Sequence, residues 1–207
     1  MPTGAFPSSM LPYGPLHANT LHLCIDMQRV FAEDTPWKTP WLPRVLPVVL
    51  RIARARAEQT VFTRFVPPHK PEQAQGAWRR YYQRWAELTL DRAGRALFEL
   101  VPELEAMCPP AQAFDKHTYS PWGTPDFDRA LAERNPPALV ITGAETDVCV
   151  LAAVLGAVDR GYRVVVPTDG ICSSSDTTHD ALLTLYRQRF AQQIETATSA
   201  EILAAWS

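Results

Sequence analysis

The sequence predicts one α/β domain, a doubly wound three-layer α-β-α arrangement whose parallel sheet is covered on both faces. Three observations carry this. Short apolar, β-branched runs alternate with helical patterns from residue 21 almost to the last residue. The clearest unit is ALVITGA (138–144), VCVLAAVLGAVDRGY (148–162) and RVVVP (163–167), a continuous apolar strand, a helix ending at Gly161 and a second buried strand. The chain has 207 residues, 46 % of them hydrophobic, which suits one substantial core rather than two domains.

The elements follow in order. Residues 1–20 hold Pro2, Pro7, Pro12 and Pro15 and read as an extended arm, either frayed or strapped across a neighbouring subunit, ahead of a domain spanning 21–207. LHLCID (21–26) is a short strand ending abruptly at Asp26. Pro43 stands near the start of a helix bearing Val45, Val48, Val49 and Ile52 at i, i+3, i+4, i+7. TVFTRFV (60–66) is a second strand. Residues 68–112 are irregular except for helices near 77–88 and 100–106. AFDKH (113–117) is a third strand, and the helix at 125–134 is stopped by Pro136-Pro137. After the unit at 138–167, a helix over about 176–188 and a strand at 190–197 complete the pattern.

Composition excludes several classes of protein. The formal net charge is −2, so no nucleic-acid groove or polybasic membrane patch is expected. No run reaches the roughly 18 apolar residues of a membrane span, and the first twenty residues do not resemble a secretory signal. Four cysteines without a CxxC pair give neither a zinc-ribbon spacing nor a disulfide framework, which points to a reducing, cytoplasmic setting.

Ligands of doubly wound sheets bind at the carboxyl ends of the strands. Three chemically able residues fall there: Asp26 after the first strand, Lys116 at the end of the third and Cys149 after the fourth. A thiol in the first turn of a helix meets unpaired N–H groups that favour its thiolate. A carboxylate can take its proton, and an ammonium can hold both. Taken singly, each residue has a plainer reading, as a small buried residue, a turn former or a surface charge. No GxGxxG, GxxxxGK[ST] or GxSxG occurs.

IDMQRVF (25–31), DKHTYSPWGTPDF (115–127), VITGAETDVCVLAA (140–153) and PTDGICSSSDTTHDALLTL (167–185) resemble, in order, four blocks of the isochorismatase-like cysteine hydrolases. That family includes nicotinamidases, carbamoylsarcosine and ureidoacrylate amidohydrolases, and isochorismatases. The resemblance implies a six-stranded parallel sheet, an Asp26–Lys116–Cys149 triad, no cofactor, and a homodimer or homotetramer. It also implies a cis peptide at Ala144–Glu145 and an oxyanion hole made by the N–H groups of Glu145 and Cys149. The family often has a small residue where Glu145 stands.

Nicotinamidases of this family carry an Asp-x-His metal pair after the second strand. TRFVPPHKP (63–71) offers only His69, so no metal is expected. Trp78, Tyr81, Tyr82 and Trp85, at i, i+3, i+4, i+7, form one helical stripe, read either as core packing or as a lid wall. Phe31, Trp78, Tyr82 and Trp122 are the candidates for the substrate pocket. The reading these residues support is hydrolysis of a linear C–N bond, amide or carbamoyl, of a small molecule through a Cys149 thioester. The alternatives are vinyl-ether hydrolysis of the isochorismatase type, or a binding protein without turnover.

Overall fold

The computed structural model describes residues 11–207. It contains strands β1 (Leu21–Ile25), β2 (Thr60–Phe65), β3 (Gln112–Lys116), β4 (Ala138–Ala144), β5 (Arg163–Pro167), β6 (Ile171–Cys172) and β7 (Ile194–Ala197). The helices are α1 (Arg29–Ala32), α2 (Leu42–Ala55), α3 (Gly76–Arg84), α4 (Leu90–Ala93), α5 (Pro102–Glu105), α6 (Pro125–Arg134), α7 (Leu151–Asp159), α8 (Asp176–Gln188) and α9 (Ser199–Ala204). All strand pairs are parallel in the order β3-β2-β1-β4-β5-β7, and the two-residue β6 pairs with the end of β4 as a seventh member. The connections run outward from β1 and then return to its other side. The switch point therefore lies between β1 and β4, where such sheets open a crevice.

Alternation along the strands decides which helix covers which face. Leu21, Leu23, Ile25, Leu139, Ile141, Val164 and Val166 pack with Phe127 and Leu131 of α6, Val154 and Ala157 of α7, and Tyr186 of α8. On the other face, Cys24 and Phe62 meet Val45 and Val49 of α2. Val140 and Val165 meet Ile52 of α2 and Ile202 of α9 there. Each of these fully buried aliphatic side chains contributes about 1.5–3 kcal/mol, so the sandwich is held mainly by this burial.

Several sequence expectations are corrected. The helix expected at 148–162 begins instead with a π turn over Thr146–Val150, and regular α7 ends at Asp159. The helix expected at 77–88 ends at Arg84 and continues as a separate 3-10 turn, Ala86–Leu88. Residues 190–193 form a turn rather than the start of β7, with Gln193 N–H bonded to Phe190 O. The first half of the expected arm, residues 1–10, lies outside the described residues. Residues 11–20 belong to the domain: Leu11 and Leu16 are buried with Val165, Ile202 and Trp206, and Leu16 forms a bridge with Trp206. Arg163 donates to the carbonyls of Gly14 and Pro15, fixing this segment along the sheet.

A polar residue in the sheet interior has a measurable consequence. His22 on β1 is fully buried, with Nδ1 3.2 Å from Thr60 Oγ1 and Nε2 2.8 Å from Thr142 Oγ1. Thr60 already donates its hydroxyl proton to Arg56 O, so His22 Nδ1 carries the hydrogen and Nε2 accepts from Thr142. Burial lowers the His22 pKa to about 3 and keeps the ring neutral. The unfolded chain binds a proton near pH 6.5 that the folded chain refuses. Full stability is therefore present above that pH and is lost as the pH falls toward 3, by up to about 5 kcal/mol. Urea unfolding between pH 7 and 4 is expected to show the parent losing about 1.4 kcal/mol per unit below pH 6 relative to His22→Gln. Parallel curves would rule out this linkage.

Candidate active site

The chain leaves β1 through a left-handed residue, Asp26 at φ 49°, a conformation that Asp tolerates better than most side chains. Its N–H approaches the Thr63 carbonyl and hydroxyl, each at 3.2 Å, and Thr63 Oγ1 donates to Asp26 Oδ1 at 2.6 Å. Two residues on, the Gln28 carboxamide accepts from Phe65 N–H at 2.7 Å and donates to the Phe65 and Phe98 carbonyls. These bonds tie the exits of β1 and β2 together. On the other side of β1, Gly143 is the only residue type that fits. At φ 116°, an added Cβ would sit 2.0 Å from the Ile25 carbonyl oxygen.

Lys116 ends β3, two strands from β1 and so roughly 10 Å away across the sheet. Its long side chain crosses that distance, and the ammonium, 5.0 Å from the Phe65 ring centroid, reaches Asp26 Oδ2 at 2.7 Å. A further bond at 3.0 Å runs to Thr118 O. The two side chains are 1 % and 0 % exposed. Burial is the largest single influence and works against the lysine's charge, but Asp26 and Cys149 together outweigh it and hold the Lys116 pKa above its ordinary value.

Cys149 lies in the π turn between β4 and α7, almost fully buried, with its thiol against both Asp26 and Lys116. Burial pushes the thiol's pKa well up; Lys116 opposes this and Asp26 reinforces it. The resting sulfur is therefore a protonated thiol beside a carboxylate and an ammonium. The turn is pinned to the start of α8. Thr146 Oγ1 lies 2.8 Å from His179 Nδ1, while Ser173 and Thr178 donate to the Asp147 carboxylate. The peptide Ala144–Glu145 is cis. The Glu145 carboxylate accepts from Ser174 N–H at 2.8 Å and from the Thr39 hydroxyl at 3.3 Å.

Cys149 opens onto a cavity of about 290 Å³ whose walls include Phe31, Trp37, Phe65, Tyr81, Trp85 and Tyr119. Trp37 is its hub, 6.2 Å from Phe31, 5.9 Å from Phe65, 5.8 Å from Tyr81 and 6.4 Å from Trp85 between ring centroids. Of the four pocket candidates taken from the sequence, Phe31 lines this cavity and the other three do not. Trp78 stands behind the wall against Phe65 and Tyr119. Tyr82 turns into the core. Trp122 packs on the opposite face of the sheet, donating to Ala153 O and stacking on Tyr162. The helical stripe thus divides between both of its readings, with Tyr81 and Trp85 in the wall and Trp78 and Tyr82 in packing. Trp37, Phe65, Tyr119 and the supporting Thr63 carry no periodic signal in the sequence and went unnoticed there. His69 bonds Asp91 at the surface, and among the described residues no group of three or more His, Cys, Asp and Glu side chains converges as a metal site.

A doubly wound parallel sheet thus brings a thiol, a carboxylate and an ammonium together, buried, at its carboxyl edge. The sequence model of the isochorismatase domain matches residues 20–198, and the chain belongs to the isochorismatase family. It is similar to a secreted isochorismatase effector of Phytophthora sojae, 33 % identical over 99 residues, which cover 47 % of this chain and 46 % of the relative. The match thus spans about half the length of that curated relative. Among solved structures, a cysteine hydrolase from Pseudomonas syringae pv. phaseolicola superposes with a TM-score of 0.78 at 21 % identity, covering 96 % of this chain and 98 % of that one. An N-carbamoylsarcosine amidase from Thermoplasma acidophilum superposes with a TM-score of 0.68 at 17 % identity, covering 87 % and 96 %. At these identities the superpositions establish the shared fold. Among the described residues, no helix is long and apolar enough to cross a membrane.

The buried pair makes a prediction about stability. Lys116→Met leaves the Asp26 carboxylate buried without its counter-charge and is expected to cost about 3–5 kcal/mol in urea unfolding. Adding Asp26→Asn to that variant removes the orphaned charge and is expected to restore most of the loss. A cost below about 1 kcal/mol for Lys116→Met would mean the pair is hydrated and contributes like a surface contact.

Proposed function

We propose that the chain hydrolyses a linear carbon–nitrogen bond, in an amide or carbamoyl group of a small molecule, through a thioester on Cys149. The observation that carries this reading is the buried Asp26–Lys116 pair lying against the Cys149 thiol. Because burial keeps the sulfur protonated at rest, the nucleophile has to form as it attacks. Asp26 takes the thiol proton while Lys116 compensates the charge left on sulfur. The new C–S bond converts the carbonyl oxygen to an oxyanion, received by the N–H groups of Glu145 and Cys149. Collapse of this intermediate breaks the C–N bond, and Asp26 returns the proton to the departing amine. Water then attacks the thioester with Asp26 again as base, releasing the acid and the thiol. No step needs a metal, and His69 lies outside the cavity.

A second reading, acid-catalysed vinyl-ether hydrolysis, draws on the isochorismatase named among the relatives. It gives the thiol no part to play, which is why the amide reading is preferred.

Cys149→Ala is expected to lower amide turnover by at least about a thousandfold while circular dichroism stays that of the parent. Acid-quenched parent enzyme is expected to carry the acyl group on Cys149 by mass spectrometry. Dialysis against a strong chelator is expected to leave the rate unchanged. Turnover of Cys149→Ala within tenfold of the parent would move the assignment to the acid-catalysed class.

A further inference from the structure

We infer that the substrate carries a positively charged ammonium group close to the scissile amide, selected by Glu145 and the aromatic wall. This rests on the amide-hydrolase reading of the same site and deepens it.

Three observations lead there. Glu145 is half-buried and lines the cavity into which Cys149 opens. Its two hydrogen bonds, from Thr39 and Ser174, both fall on Oε1. Among the described residues Oε2 has no donor, and the carboxylate has no ion-pair partner. Oε2 is not among the buried atoms that lack a partner, so it is open to the solvent side, where a cation in the cavity can pair with it.

The wall facing this carboxylate consists of aromatic rings. Six of them line one small cavity, and ring faces attract ammonium groups, most strongly where water is excluded. Glu145 lines the same cavity as the Tyr81 and Tyr119 rings. A box of rings with one carboxylate at its edge is suited to a methylated or protonated amine. A neutral planar group would leave the charge unanswered.

The third observation concerns the chemistry itself. Glu145 supplies a backbone N–H to the proposed oxyanion hole while its side chain holds a negative charge beside the same hole. With a neutral substrate, that charge opposes the developing oxyanion. An ammonium-bearing substrate brings the neutralising charge with it, so a residue that hinders other amides becomes a means of choosing this one. Lys38 is the one cation lining the cavity among the described residues. It sits at the rim, half-exposed and 3.4 Å from Asp34, where it weakens the preference without abolishing it.

The test uses two amides of the same shape, trimethylammonioacetamide and its carbon isostere tert-butylacetamide. The parent enzyme is expected to favour the cationic amide by about tenfold or more in kcat/KM. Glu145→Gln is expected to bring the ratio of the two substrates close to one, and Lys38→Met to raise it. Titration calorimetry with Cys149→Ala measures the same preference in binding, without turnover. Tighter binding of the cation with no hydrolysis of either amide by the parent would sink the amidase reading and leave only the cation preference of Glu145 and the rings standing. Equal hydrolysis of both amides would do the reverse. A ratio unchanged in Glu145→Gln, or no preference in either measurement, overturns the inference.

Discussion

Asp26 and Lys116 stand where water does not reach, 2.7 Å apart, and neither could be kept there ionised without the other. Isolated, each buried charge costs several kcal/mol, so the fold has to deliver both to one point although one follows β1 and the other ends β3. Much of the surrounding structure serves that delivery. Thr63 on the intervening strand holds one carboxylate oxygen, the Phe65 ring lies under the lysine ammonium, and Gln28 ties the two strand exits together. The bare Gly143 lets β4 approach β1 closely enough to bring the Cys149 turn alongside. A long cation is required because a shorter side chain could not cross the two strand spacings.

The thiol's setting follows from the same burial. A sulfur this dry is a poor acid, and the carboxylate beside it is a base whose charge is already balanced by the lysine. The protonated thiol is the less reactive form, so this burial protects Cys149 from idle chemistry. Cys24 and Cys172 are equally buried; neither has an ammonium beside it, and both pKa values are pushed up first by burial. Burial is common to all three thiols, and the neighbouring charge pair distinguishes Cys149.

The sheet and its reactive edge were legible in the sequence because both follow from local rules. Apolar β-branched runs mark buried parallel strands, and residues at their carboxyl ends share one edge whatever the loops do. Asp26, Lys116 and Cys149 could therefore be grouped before any coordinates. The cavity wall could not. Periodicity places Trp78, Tyr81, Tyr82 and Trp85 on one helix but does not say how that helix is rotated or where it stops; the rotation decides that Tyr81 faces the cavity, and Trp85 reaches it from just past the helix's end. Trp37 lies in a loop with no repeat to reveal it, and its place at the centre of the wall arises only through tertiary contacts. Trp122 was misplaced for a related reason: nearness in sequence to Lys116 says nothing about which face of the sheet its ring covers. The two-residue β6 is too short to leave any pattern at all.

The indoles at the cavity have an optical consequence. Of the six tryptophans in the chain, Trp37 and Trp85 form part of the wall beside Cys149 and Trp78 stands behind it, while Trp122 and Trp206 are packed elsewhere and Trp41 faces solvent. Anything entering the cavity changes the polarity around two emitters whose rings lie 6.4 Å apart. The protein thus contains its own occupancy gauge. The intensity and colour of its ultraviolet emission track filling of the site in real time, without a label and without waiting for a bond to break.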